Sequence, residues 1–172
     1  MKILSLAAAA VFAFGLTAAQ AQERAADALT AEQFVVAAGA SNLYEIEAAR
    51  IAEQRGRNAA VKTFAQQMIA DHTAAGEEMK QVVAKVGLEA PTALDEAHNQ
   101  KIAELREEEG EDFDETYVDQ QLEAHQNAVA LFSRYAETGD QADLKAFAAK
   151  TLPTLQAHLQ HVQELDNADL SQ

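Results

Sequence analysis

The stretch from Val61 to Val86, VKTFAQQMIADHTAAGEEMKQVVAKV, decides the fold. Its apolar residues recur every three or four positions, which predicts a helix of about seven turns with one buried stripe and with Lys, Gln and Glu on the opposite side. The stripe consists of Val61, Phe64, Ala65, Met68, His72, Ala75, Met79, Val82 and Val86. His72 therefore occupies a core position, where an imidazole without a hydrogen-bond partner or a metal costs on the order of 1–3 kcal/mol.

Three further stretches show the same period, and together the four predict a helical bundle. Capping residues such as Thr30 and Asn58 mark where helices begin, glycines mark where they end, and Asp140 is the expected N-cap of the last helix. The predicted long helices span residues 30–55, 58–86, 112–137 and 141–166, and a weaker helix spans 94–109. The short connection after Gly56 makes the first two helices antiparallel neighbours. The fold class is thus all-α, an antiparallel four-helix bundle with a helical crossover between helices two and three.

The first 21 residues have the layout of a secretory signal peptide. Lys2 is followed by an apolar run of about 14 residues, shorter than the roughly 20 that span a bilayer, and small residues end at Ala21. We expect cleavage near Ala21, a periplasmic or secreted protein and no transmembrane span in the mature chain; retention of the segment as an anchor is the alternative. Residues 22–29 are then a lead-in, 30–166 the bundle domain and 167–172 a disordered tail.

Composition narrows the classes of function. The chain has 28 Asp and Glu against 13 Lys and Arg, a formal charge of -15, and no Cys. Such a surface repels nucleic acid and anionic membrane, and the lack of Cys excludes disulfides and thiolate ligands. Because no nucleophile stands beside an obvious base, hydrolase chemistry has no support. The sequence leaves open whether the protein is an enzyme, and it identifies no protein partner or oligomeric state.

Four residues with metal-ligating side chains lie on the inward stripes, one on each long helix. They are Glu45, His72, His125 and His158. Carboxylates and imidazoles that project from facing helices form metal sites in bundle cores, and this donor set suits iron, zinc, copper or manganese (Fe, Zn, Cu or Mn). The sequence therefore predicts a transition-metal site. Asp71 either orients a ligand or is a surface acid, and His161 either shares a ligand face with His158 as an H-x-x-H pair or lies on a solvated flank.

Two alternatives remain open at this stage. Within each antiparallel pair, Glu45 against His72 and His125 against His158, the residues differ by about five positions in their distance from the shared turn, which is roughly 7 Å. The ligands could therefore lie at two levels. Alternatively, the same side chains could form a polar hydrogen-bond network in the core of a non-catalytic stress, structural or partner-binding protein.

Four segments in order carry a family resemblance: FVVAAGASNLYEIEAARIA, FAQQMIADHTAAGEEM, FDETYV to AHQNAVALF, and LKAFAAKTLPTLQAHLQHV. The chain resembles the secreted bacterial family known as domain of unknown function forty-one forty-two, often labelled outer membrane or exported proteins. The resemblance covers about residues 32–165 and implies a ferritin-like four-helix bundle with no established activity. Its pattern corresponds here to Glu45, Asp71, His72, His125, Pro153 and His158. The Glu-x-x-His pairs of ferritin-type di-iron proteins are missing, which argues against ferroxidase or iron-storage chemistry.

Overall fold

The computed structural model describes residues 29–168 and residue 170. This part of the chain contains five helices and no strand. The helices are α1 (Ala31–Arg55), α2 (Ala59–Val86), α3 (Glu96–Glu107), α4 (Glu111–Thr138) and α5 (Ala142–Asp166). The all-α prediction is confirmed. The predicted signal peptide lies outside the described residues, as does the lead-in apart from Leu29. None of the described helices is long and apolar enough to cross a membrane.

The four long helices form the bundle, and α3 is the crossover. α1 packs against α2 and α4, and α5 packs against α4 and α2. The α1–α2 turn at Gly56 lies at one end of the bundle, called here the Gly56 end, and the α4–α5 turn at Gly139 lies at the other, the Gly139 end. α3 packs on α1 and α4 and returns the chain to the Gly56 end, where Arg55 Nη1 donates to the carbonyl of Arg106 at 2.7 Å.

The helix caps follow the sequence signals with one exception. Thr30 forms the predicted capping box with Gln33, and the side chain of Asn58 accepts from the first backbone N–H groups of α2. The prediction that Asp140 caps the last helix is wrong. Gln141 is the N-cap, and its Oε1 accepts from the backbone N–H of Leu144 at 2.9 Å. Asp140 is instead engaged by a neighbouring helix, because its Oδ1 accepts from the Tyr135 hydroxyl at 3.1 Å.

A buried carboxylate ties α4 to the start of α2. Asp114 is fully buried, and its two oxygens accept from the backbone N–H of Arg57 at 3.2 and 3.0 Å and from that of Asn58 at 2.8 Å. The backbone N–H groups at a helix start lack partners within the helix and carry partial positive charge, which favours an anion there. At the same end, Asn58 Nδ2 donates to the carbonyl of Leu170 at 3.3 Å, within the expected tail.

The apolar core of the bundle is divided into two clusters. The cluster at the Gly56 end contains Phe64, Met68, Tyr117 and Val162, and the cluster at the Gly139 end contains Phe34, Met79, Phe132, Tyr135 and Leu155. Along each of α2, α4 and α5 the sequence position that separates the two clusters is a buried histidine. The bundle therefore has a polar layer across its middle, with apolar packing above and below.

Candidate metal centre

Three histidines from three helices meet in the polar layer. The ring centroids of His72, His125 and His158 are 5.8, 5.5 and 5.5 Å apart. One ring nitrogen of each lies within 4.8 Å of one ring nitrogen of both others. All three side chains are buried, with relative exposures of 6%, 0% and 1%. An ion with metal–nitrogen bonds of about 2.0–2.1 Å would hold tetrahedral nitrogens about 3.3 Å apart, so small side-chain rotations would bring these three onto one ion.

Hydrogen bonds fix which nitrogen of each ring carries the proton. His72 Nδ1 lies 3.1 Å from Asn42 Oδ1, His125 Nδ1 lies 2.9 Å from the carbonyl oxygen of Gln121, and His158 Nε2 lies 2.8 Å from Asp71 Oδ2. Each oxygen is an acceptor, so the ring nitrogen facing it donates. In a neutral imidazole the second nitrogen then bears a free lone pair. A metal-binding histidine is commonly oriented in this way.

The nitrogens left over are His72 Nε2, His125 Nε2 and His158 Nδ1. Within the part of the chain that the structure describes, none of the three has a hydrogen-bond partner, although all are buried. These three buried acceptors lack donors among the described residues, and each unpaired buried polar group costs about 1–3 kcal/mol. A bound cation would satisfy all three at once. The donor set therefore fits a metal ion.

Burial keeps the three rings neutral. It lowers the pKa of His72 well below the usual value, and charge on either of the other two histidines would lower it further. Burial also lowers the pKa of His125 to about 4, and it lowers that of His158 despite the opposing attraction of Asp71. Because metals bind the neutral imidazole and not the imidazolium, rings that stay neutral at physiological pH can coordinate without first losing a proton.

Glu45 is buried but lies outside this cluster. Its relative exposure is 1%, and neither carboxylate oxygen has a hydrogen-bond partner among the described residues. Its neighbours include Gln121 and Tyr117, whose polar side-chain atoms are likewise buried without partners. Burial raises the pKa of Glu45 to about 8, against smaller opposing effects of Gln121 and Lys101. Glu45 thus belongs to a second polar group, about one helical turn from the histidines towards the Gly56 end.

The two flanking residues singled out in the sequence have different positions. Asp71 accepts from His158, as described above, and its side chain is 40% exposed. His161 is half-buried outside the three-histidine cluster, with its ring edge against Phe64 at 5.0 Å between centroids. Asp71 is therefore hydrogen-bonded to one of the three rings, whereas His161 packs on Phe64 outside them.

Sequence reasoning missed the contribution of α1 to the histidine layer. Asn42 supplies it, through the contact with His72, and not Glu45. The signal was present, because Asn42 is a polar residue on the inward stripe of α1, one turn before Glu45. The backbone carbonyl of Gln121 is a contact that no sequence pattern could identify, since every helical residue has a carbonyl.

A small cavity adjoins the histidines on the side towards the Gly139 end. Its volume is about 30 Å³, and His72 and His158 form part of its wall. Most of the remaining wall is apolar, with Met79, Phe132 and Leu155 among its members. Asp71 and the exposed Thr154 also line it, so it reaches the surface between α2 and α5.

Comparisons with known proteins agree with this architecture. The chain is similar in fold to the structure described as "Crystal structure of DUF305 fragment from Deinococcus radiodurans", with a TM-score of 0.67 and 14% identity over 77% of this chain and 92% of that one. It is also similar to "CopM in the Cu(II)-bound form", with a TM-score of 0.68 and 17% identity over 81% of this chain and 97% of that one. At these identities the likeness shows the fold alone. No curated protein matches the sequence. Residues 16–165 match a family profile, and the chain therefore belongs to the family described as Domain of unknown function (DUF4142).

Proposed function

We propose that this protein binds one transition-metal ion through His72, His125 and His158. The observation that supports it is the arrangement of the three rings. Each ring has one buried nitrogen without a hydrogen-bond partner in the described part of the chain and donates from its other nitrogen to an oxygen acceptor, and one ring nitrogen of each lies within 4.8 Å of one ring nitrogen of both others. A purely structural hydrogen-bond network would be expected to pair these nitrogens with donors instead, because unpaired buried acceptors are costly.

The donor atoms favour particular metals. Three imidazole nitrogens without thiolates suit copper, zinc, nickel or iron, and among divalent ions the affinity of such sites is highest for Cu²⁺. The similar fold of a protein whose structure is described as Cu(II)-bound supports copper as the first metal to test. Glu45 stays a prediction as a fourth ligand. Its carboxylate would have to reach from the adjacent polar group, so the variant Glu45→Gln measures its contribution.

The proposal also includes export. The pattern of residues 1–21 supports it, since a basic residue, an apolar run and a small-residue end are typical of a cleaved signal. Expression in a bacterial host followed by N-terminal sequencing of the periplasmic fraction tests this step. A mature N-terminus near Gln22 is expected, and a full-length chain in the membrane fraction would support the anchor instead.

The test of metal binding is a titration of purified apoprotein with Cu²⁺ and Zn²⁺, monitored by calorimetry and by metal analysis after desalting. We expect one equivalent per chain in the wild type and a loss of affinity of at least about 100-fold in His125→Ala, since one of three ligands is removed. The matched control is His98→Ala, because His98 lies on α3 and pairs with Asp95, outside the cluster. Equal affinity in the wild type and in His125→Ala would refute the proposal, and circular dichroism checks that the variant is folded.

The alternative function is that of a helical protein whose polar layer only specifies packing. The hydrogen bonds that the rings donate to Asn42, Gln121 and Asp71 favour it, because they would also fix the rings without a metal. In that case metal ions would leave the thermal unfolding temperature unchanged. A ligand that binds only the folded state at 100 times its dissociation constant adds about 2.7 kcal/mol to the free energy of unfolding, so thermal melts with and without copper separate the two functions.

A further inference from the structure

The cavity beside the histidines offers space for a small ligand next to the proposed metal site. A metal ion held by three protein ligands keeps at least one coordination position open. His72 and His158 each take part both in the proposed metal site and in the cavity wall. A molecule in the cavity would therefore lie against two of the three ligand rings, next to the ion.

Volume and lining define what could bind there. A cavity needs about 10–15 Å³ to hold one water molecule, so about 30 Å³ is enough for a ligand of two or three atoms. The apolar part of the wall, which includes Met79, Phe132, Phe147 and Leu155, offers no donors or charges to an ion. The polar members of the wall besides the two histidines are Ser41, Asn42, Asp71, Thr151 and Thr154. Asn42 Oδ1 accepts from His72, and the negative charge of Asp71 disfavours an anionic ligand.

From this geometry we propose that the cavity binds an uncharged diatomic molecule, of the size of dioxygen, nitric oxide or carbon monoxide, at the open position of the metal. The inference rests on the proposed metal site and goes beyond it by assigning a ligand class. The opening between α2 and α5, beside Asp71 and Thr154, is the route by which such a molecule reaches the ion.

Carbon monoxide is the probe, because it binds Cu⁺ and reports through its infrared stretching band. The protein is loaded anaerobically with one equivalent of Cu⁺, and metal content is measured in the same sample. Ala75→Leu adds a larger side chain to the cavity wall from α2 and replaces no proposed ligand. Ala74→Leu adds the same side chain at an exposed neighbouring position that is not part of the wall.

We expect equal copper content in all three proteins. The carbon monoxide affinity should fall at least tenfold in Ala75→Leu and stay at the wild-type value in Ala74→Leu. Stoichiometric copper without a carbonyl band in the wild type, or equal carbon monoxide affinity in Ala75→Leu, would overturn the inference while leaving the metal site intact. A wild-type protein that takes up no copper would overturn the inference, and one that takes up neither copper nor zinc would overturn the proposed metal site as well.

Discussion

Replacing Glu45 by Gln should stabilise the protein at alkaline pH and have much less effect at mildly acidic pH. The carboxyl is 1% exposed, its oxygens lack hydrogen-bond partners among the described residues, and burial raises its pKa from 4.5 to about 8. Between these two pH values the unfolded chain has lost the proton and the folded chain keeps it. The unfolded state therefore binds fewer protons, and the free energy of unfolding falls as the pH rises.

The size of the effect follows from the two pKa values. At 1.36 kcal/mol per pKa unit, the ionisable carboxyl lowers the free energy of unfolding by roughly 1 kcal/mol near pH 5.5 and by roughly 4–5 kcal/mol near pH 8.5. Gln has nearly the same shape and cannot ionise. The stability advantage of Glu45→Gln should therefore grow by about 3 kcal/mol over this range, as an upper estimate.

Urea unfolding of both proteins in the presence of a chelator, at several pH values, measures this difference. The lowered pKa values of the three buried histidines act in the opposite sense, because they reduce stability as the pH falls below about 6.5. Both proteins contain these histidines, so their contribution cancels in the comparison. A stability difference that does not change between pH 5.5 and 8.5 would refute the reasoning, since it would mean that Glu45 is ionised in the folded state.

Three further predictions concern groups that hold the bundle and its site. Gly76→Ala would place a Cβ 2.8 Å from Asn42 Nδ2 and displace that side chain. We expect the helix to become more stable by up to about 1 kcal/mol in thermal melts and the copper affinity measured by calorimetry to fall. An unchanged copper affinity would show that Asn42 does not position His72. Asp71→Ala removes the acceptor of His158 Nε2 and should lower copper affinity about 10–100-fold, whereas Asp71→Asn, which keeps an acceptor, should lose less. Asp114→Ala leaves the buried N–H groups at the start of α2 unpaired and should cost about 2–3 kcal/mol in urea unfolding, more than the exposed cap variant Thr30→Ala at about 1 kcal/mol.

The sequence predicted most of the fold because helix signals are local. The period of apolar residues, the Thr30 capping box and the glycines at the turns lie within a few residues of the boundaries that they determine, and these boundaries agree with the structure to within a few residues. Asp140 and Asp114 were the harder cases. Either could cap its own helix on sequence grounds, and only the packing of α4 against the α1–α2 turn selects Asp114 as a partner for another helix.

The sequence predicts the residue types of the site but not the positions of the side chains along the bundle axis. Counting from the turns gave the same offset of roughly 7 Å for Glu45 with His72 and for His125 with His158, yet the structure brings the second pair together and places Glu45 with Gln121 and Tyr117. Side-chain direction and helix inclination decide such cases, and neither is encoded in spacing along one helix. Among the oxygen acceptors that contact the rings, the sequence singles out Asp71 and places Asn42 on the inward stripe of α1, but no sequence pattern identifies the backbone carbonyl of Gln121.

The histidine layer between the two apolar clusters would affect how easily each helix opens when a metal is bound. An ion held by the three rings would link α2, α4 and α5 to one another at the middle of the bundle, whereas α1 would contact this layer only through the Asn42 side chain. Metal binding should therefore stabilise α2, α4 and α5 against local opening more than it stabilises α1. In native-state amide exchange, α1 and the α3 crossover packed on it would then open more easily than the other helices. The protection of α1 relative to α2, α4 and α5 would therefore report whether the centre is occupied, although α1 provides no ligand.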